Sequence, residues 1–284
     1  MISVITPVYN GERFIGECIQ VVIAQRHPNL EHIIVDGDST DRTVEIIKQD
    51  ASKYSHIRWI SEKDRGQTDA LNKGIAMARG DILAILNVDD YYEPGVLNRV
   101  SEIFSGMPDP SLIVGNCNIW DDDGNLLYVN KPSKLKISDL LLGFNFYQHP
   151  VNPSAYFYHT SLHQKIGPYR DDMQIGQDLP FLLNAVQIAT VKYFDELWGN
   201  YRQIKGTLTV REMESGIGQH RYNAILNSFI EQLPFIKQLE IAIKKSLLKI
   251  FRRTKNWSHR ITRLLRKEIK DLAILQKEPK NLDL

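Results

Sequence analysis

Aspartates in this chain sit at the ends of apolar runs. Asp36, Asp38 and Asp41 follow Ile33-Ile34-Val35, Asp64 and Asp69 frame a turn around Gly66, Asp89 and Asp90 close the run from Ile82 to Leu86, and Asp178 opens Leu179-Pro180-Phe181-Leu182-Leu183. Singly, each has a plainer role as a helix cap or turn residue. Their repetition after strand-like runs argues for chemistry, because ligands of open α/β sheets bind outside the carboxyl ends of the strands. Carboxylates gathered there repel one another unless a cation joins them. Mg²⁺ or Mn²⁺ is held by one or two carboxylates with substrate phosphates completing the shell, so a divalent cation carrying a diphosphate fits this pattern. The first apolar run is followed by Pro7-Val8-Tyr9-Asn10-Gly11, which is neither G-x-G-x-x-G nor G-x-x-x-x-G-K-[ST]. Phosphate therefore has to be neutralised by metal and side chains. The eight histidines show no metal-ligand spacing.

The elements that must position these acids follow from periodicity. Strands are expected at Ile2–Thr6, His32–Val35, Ile57–Ile60 and Ile82–Leu86, the last apolar on both faces and so central. Helices are expected between them, through Phe14, Cys18 and Val22, from about Arg42 to Tyr54, and from Ala70 to Ala78. This β-α alternation predicts a mostly parallel sheet. Beyond Pro94 the pattern mixes: a helix near Val96–Phe104, a strand Leu112–Val114, a hairpin around Asp121–Gly124, then a middle third with more Pro, His and Tyr. Helix returns from about Gln219, with a break at Pro234.

Four segments together resemble the ordered motifs of glycosyltransferase family 2: Ser3 to Asn10, Val35 to Thr43, Asp64 to Gly74, and Leu86-Asn87-Val88-Asp89-Asp90. The resemblance covers about residues 1 to 215 and implies a GT-A fold, a Rossmann-like α/β/α sandwich. It divides into a nucleotide-sugar-binding half (1–115) and an acceptor-binding half (116–215), with 216–284 as a basic, amphipathic helical extension. By the same resemblance Asp36 lies beside the nucleotide base with Pro7 and Tyr9 near, Asp64 and Asp69 lie on the nucleotide side of the cleft, and Asp89 and Asp90 hold the metal and ribose end. Asn87 replaces the first acid of that last element, which leaves open whether Asp89 or Asp90 grips the metal. Asp178 matches the catalytic base, with Gln177 where an acid often precedes it, and Arg202 or Lys205 is implied to meet the leaving diphosphate. The expected activity is metal-dependent, inverting transfer from a UDP-linked sugar to a saccharide or lipid-linked saccharide acceptor. The rival classes are a catalytically silent nucleotide-sugar scaffold and a nucleotidyltransferase, the latter lacking its triphosphate-gripping basic loop after the first strand.

Composition bounds the rest. With 284 residues, 43% hydrophobic and 24% charged, the chain is an ordinary folded protein rather than a disordered or low-complexity one. Two cysteines, Cys18 and Cys117, are too few for a disulfide framework, and Met1 runs directly into strand-like Ile2-Ser3-Val4-Ile5, so a cytoplasmic protein is expected. The net charge of +1 conceals an asymmetry: residues 1–236 carry 21 Lys+Arg against 29 Asp+Glu, and residues 237–284 carry 14 against 5. An acidic body argues against nucleic acid. Between 237 and 275 apolar residues recur at three-to-four spacing among lysines and arginines, which fits a helix at an anionic inner membrane face, or one packed on the body or on a second subunit of a homodimer.

Overall fold

The computed structural model describes residues 1–170, 172–173 and 176–252; expectations resting on Asp171, Ile175 and the tail from Arg253 onward, Trp257 and Leu275 included, lie outside them. The chain divides into two compact units, Met1–Ile230 and 231–284. In the second unit residues 235–252 are helical. Among the described residues no helix is long and apolar enough to cross a membrane.

In the first unit the expected alternation is present: β1 (Ile2–Val8), α1 (Ile15–Ala24), β2 (Leu30–Asp36), α2 (Thr43–Ala51), β3 (Ile57–Ser61), α3 (Gln67–Met77) and β4 (Ile82–Ile85). Then come β5 (Tyr91–Tyr92), α4 (Val96–Phe104), β6 (Ser111–Trp120), β7 (Leu126–Asn130), α5 (Ile137–Leu140), β8 (Tyr156–His159), α6 (Ser161–Ile166), α7 (Asp178–Ile188), β9 (Thr190–Arg202), α8 (Leu208–Ser215) and α9 (Ile217–Glu231). The sheet runs β3-β2-β1-β4-β8-β6-β9-β5, with β7 paired to β6. Strands β1 to β4 are mutually parallel, as are β6 and β9, whereas β8 and β5 run against their neighbours.

That polarity organises the site. Strands β1, β2, β3, β4 and β9 end at one sheet edge, so Val8, Asp36, Ser61, Leu86 and Arg202 arrive there. The reversed strands β5 and β8 begin at the same edge, which brings Asp89-Asp90 and Asn152 to Tyr156 to it. The interior strands are sealed on both faces: every residue of β1 and β4 is buried. Helix α3 lies close enough on the sheet that a Cβ at Gly74 would come 2.5 Å from Ile5 Cγ2.

Strand β9 reaches the edge through irregular pairing. Between Val114↔Tyr193 and Asn116↔Leu197 it advances four residues while β6 advances two, and a further shift follows before Cys117↔Gly199. Bulges of this kind bend and twist the strand that carries them. The bend seats Trp198, 1% exposed, against Gly115, where a Cβ would meet the indole at 2.4 Å. Trp198 accepts a backbone hydrogen bond from Glu93 at 2.9 Å, and Tyr91 pairs with Asn200. Gly115→Ala should therefore overpack this joint and cost about 1–3 kcal/mol, lowering Tm by several degrees in a calorimetric scan; an unchanged Tm would refute the account.

Candidate active site

Asp90 and Asp36 are the most enclosed of the edge carboxylates, and Asp90 is 1% exposed. The Asp90 Oδ2 accepts from Asn152 Nδ2 at 2.7 Å and Asn87 Nδ2 at 3.0 Å, and its Oδ1 from the Arg202 backbone N–H at 3.1 Å. Asn87 in turn accepts from Gln67 Nε2 at 2.9 Å, and Asn152 from the Ser154 amide and hydroxyl at 2.9 and 2.6 Å. One carboxyl thus ties the end of β4, the start of β8, the end of β9 and the first turn of α3. Burial, and then the adjacent Asp89 charge, push its pKa up to about 8. Asp89 is also raised, chiefly by burial, with Arg202 opposing.

Asp89 differs in its partners. The Asp89 carbonyl accepts from Arg202 Nε, and among the described residues no donor from another residue reaches its carboxylate. Arg202 is fixed by Glu17 at 2.9 Å and by the rings of Phe14 and Tyr91, each 5.4 Å from its guanidinium carbon. Its Nη2 is nevertheless buried with no partner among the described residues. A free carboxylate and an orphaned guanidinium N–H side by side fit a cation and a phosphate oxygen respectively. Among the described residues no three His, Cys, Asp or Glu side chains converge on a metal position, so a metal here would complete its shell with phosphate and water.

On the β2 side the Asp36 carboxyl is wholly buried and accepts from Ser39 N–H at 3.0 Å, Ser39 Oγ at 2.5 Å and Ser61 Oγ at 2.7 Å. It holds the turn whose Ser39 and Thr40 bind the backbone and side chain of Asn10, each at 2.8 Å. Pro7 is buried in β1 and Tyr9 stands 62% exposed at this rim. Asp64 accepts from the Gly66 amide at 2.8 Å, and its Oδ2 lies where a Cβ on Gly37 would come within 2.6 Å. Asp69 is committed locally: Arg65 at 3.0 Å and Lys73 at 3.5 Å bind it, and the Arg65 hydrogen bond holds its pKa low.

Asp178 opens α7. Its carboxyl faces a cleft of about 170 Å³ also lined by Gln67, Asn87, Asn152, Tyr156 and Gln177. Two of those amides cage Asp90, so the base candidate and the Asp89-Asp90 pair share a wall. Burial raises the Asp178 pKa to about 6, against the pull of the first backbone N–H groups of α7 and of the Tyr156 hydroxyl. Asp38 and Asp41 stay with the neighbouring turn, where Asp41 binds the Thr43 amide and hydroxyl at 3.0 and 2.5 Å. His149 is a packing residue, 1% exposed, between Phe144 and Tyr222 of α9. Asn152, Tyr156 and Glu17 carry no sequence signature of a site; the structure recruits them through the reversed strand β8 and the arginine at the end of β9.

The family model described as "Glycosyl transferase family 2" matches residues 3–161. The chain belongs to glycosyl transferase family 2. A relative of this family 2 chain, uncharacterized glycosyltransferase EpsJ of Bacillus subtilis, is 27% identical over 232 residues, which are 78% of this chain and 66% of EpsJ. An uncharacterized glycosyltransferase of Rickettsia conorii is 26% identical over 82% of this chain and 38% of its own length. The chain thus spans less than two thirds of the curated relatives it matches first. In three dimensions it is similar to S. aureus TarS 1-349 in complex with UDP-GlcNAc, with TM-score 0.60, 18% identity, and 72% of this chain and 59% of that one covered. The mannosyltransferase PcManGT of Pyrobaculum calidifontis, in complex with GDP-Man and Mn²⁺, gives TM-score 0.56 at 14% identity, covering 98% and 88%. The family 2 chain therefore has the expected GT-A α/β sandwich.

A carboxyl whose pKa rises on folding costs stability as pH climbs from its unfolded value through its folded one, because the folded state binds the extra proton. Here that window runs from the ordinary aspartate value of 3.8 to about 6. Asp178→Asn, neutral at every pH, should raise stability by about 1–3 kcal/mol at pH 8, an advantage that vanishes below pH 4. Thermal melts at the two pH values check this; a pH-independent difference would refute it.

Proposed function

We propose that the chain is a metal-dependent, inverting glycosyltransferase that moves a sugar from a nucleoside diphosphate donor, UDP-linked, to a hydroxyl of a saccharide or lipid-linked saccharide. One observation carries this reading: the enclosed Asp178 carboxyl shares a cleft wall with the amides that cage Asp90 beside Asp89. The TarS complex with UDP-GlcNAc supports the UDP donor, and the PcManGT complex with Mn²⁺ supports the metal.

In this reading Asp178 accepts the proton of the attacking hydroxyl as its oxygen bonds to the anomeric carbon and the bond from that carbon to the diphosphate oxygen breaks. A pKa near 6 suits it, since a general base works best poised close to the working pH. Asp89 is the residue that holds Mn²⁺ or Mg²⁺, because Asp90 is saturated by protein donors. When bound, the ion supplies positive charge to the leaving diphosphate. The Arg202 Nη2 binds a phosphate oxygen, Asp90 holds Asp89 and Arg202 in place, and Asp36 and Asp64 shape the base pocket with Pro7 and Tyr9. Asp69 braces Arg65 and Lys73 at its rim.

Donors are found by the Tm rise they give with Mn²⁺, since a ligand of the folded state stabilises it. Asp178→Asn should keep that rise and lose transfer by about 100-fold or more, while Asp89→Asn should lose the Mn²⁺-dependent part of the rise. Donor binding without turnover on any acceptor would instead favour a silent scaffold.

We further infer that the tail lies at the anionic inner face of a membrane, where a lipid-linked acceptor would be presented. Ile236, Leu239, Ile243, Leu247 and Ile250 form one stripe of the 235–252 helix, each 49% or more exposed. Residues 237–284 carry 14 Lys+Arg against 5 Asp+Glu, and each basic residue near such a surface adds about 1 kcal/mol. The full chain should float with anionic vesicles and be released by high salt; equal flotation after removal of 237–284 would discard the membrane reading.

A further inference from the structure

The cleft holds two polar groups that proton transfer does not fully employ. Gln177 is 8% exposed and Tyr156 wholly buried, and among the described residues neither the Gln177 Oε1 nor the Tyr156 hydroxyl has a partner in full hydrogen-bond geometry, although the Tyr156 hydroxyl lies close enough to Asp178 to act on it. Buried polar atoms in native proteins nearly always find a partner, and those left over at a cleft point to a ligand. Both face the space in front of Asp178.

The remaining lining decides what kind of ligand. Among the described residues Asp178 is the only charged side chain of the cleft; Leu71, Val151, Pro153, Tyr169 and Tyr201 supply apolar and aromatic surface. A sugar bearing a carboxylate would set a second negative charge beside Asp178 with no cation to balance it. An aminosugar would pair its ammonium with Asp178 and occupy the base. A hydroxyl both donates and accepts, and a glutamine amide offers either sense on rotation, so a neutral polyol satisfies the site at no charge cost.

We propose that the cleft binds the acceptor through an uncharged, hydroxyl-bearing sugar ring, and that Gln177 selects it by exchanging a hydrogen bond with a ring hydroxyl beside the one that attacks. Which substrate occupies the cleft rests on the transferase reading, but the recognition needs no turnover and is measured without it.

The test titrates the full chain, with UDP and Mn²⁺ present, against methyl glucoside and methyl galactoside (neutral), methyl glucuronide (anionic) and methyl glucosaminide (cationic), read by saturation-transfer NMR. A neutral glycoside should bind at least about 10-fold more tightly than the glucuronide, because like charges would otherwise meet in a closed site. Gln177→Leu should weaken neutral binding roughly 3- to 10-fold, the worth of one neutral hydrogen bond. Gln177→Glu should weaken it too and raise the affinity for the glucosaminide relative to the neutral glycosides by about 10-fold, a shift that loss of packing alone would not produce; the Tm rise with UDP and Mn²⁺ reports that each variant is folded. Equal binding of the glucuronide, no binding of either neutral glycoside, or an unchanged ratio of glucosaminide to neutral affinity in Gln177→Glu would each overturn the proposal. If the ranking holds while no nucleotide-sugar is ever transferred, the transferase reading falls and the neutral sugar site stands.

Discussion

The cage around the Asp90 carboxyl is the constraint on which the rest of the site depends. A buried carboxyl must be matched by donors or it unfolds what surrounds it, and here the donors come from Asn87, Asn152 and the Arg202 backbone. Those residues belong to chain segments far apart in sequence, so satisfying one carboxyl draws the ends of β4 and β9 and the approach to β8 into a fixed arrangement. Asp89, next in the chain, is thereby presented with its carboxylate unclaimed. Arg202, held at its backbone by Asp90 and at its guanidinium by Asp89 and Glu17, keeps one N–H without a partner among the described residues. The neutral partners matter: had Asn87 been an acid, Asp90 would have gained a further negative neighbour in place of a donor.

Strand direction does as much as side-chain chemistry. An all-parallel sheet would deliver only strand ends to this edge. Inserting β8 and β5 in the opposite sense delivers strand beginnings as well, so the loops before Tyr156 and before Tyr91 meet those after Val8, Asp36 and Ser61. The bulges in β9 belong to the same construction, since a straight ladder beside β6 would not bend Trp198 onto Gly115 or bring Asn200 opposite Tyr91. Asn200 then ties Glu93 to Asn118 and Trp120 through its amide.

These features separate what the sequence makes legible from what it hides. Strands β1 to β4 are readable because each is a short, uninterrupted apolar run bounded by turn residues, and the observed bounds differ from the expected ones by about two residues or fewer at each end. Strand β6 runs from Ser111 to Trp120 although only Leu112–Val114 reads as a strand, because Asn116 and Asn118 look like turn residues. Their amides bind Asp195 at 2.8 Å and Asn200 at 3.0 Å, partners some eighty residues away that no local pattern reveals. The acids at strand ends are visible as a repeated pattern; the amides that cage one of them are not, since Asn152 becomes a site residue only when β8 is reversed.

The Asp90 and Asp178 carboxyls also explain why this edge is costly to build. Asp90 and Asp178 are both raised by burial, to about 8 and about 6, so folding holds them under conditions in which water would ionise them more readily. The two costs are offset differently. Asp90 spends its oxygens on protein donors, and its return is geometry. Asp178 keeps only the first amides of α7 and the nearby Tyr156 hydroxyl, and the helix N-terminus favours its negative form without enclosing it. Asp178 lines the cleft, where a substrate hydroxyl can reach it, whereas the oxygens of Asp90, although its pKa is the higher, are already engaged by protein donors. The division of labour between the two acids thus follows from how many donors the fold gives each.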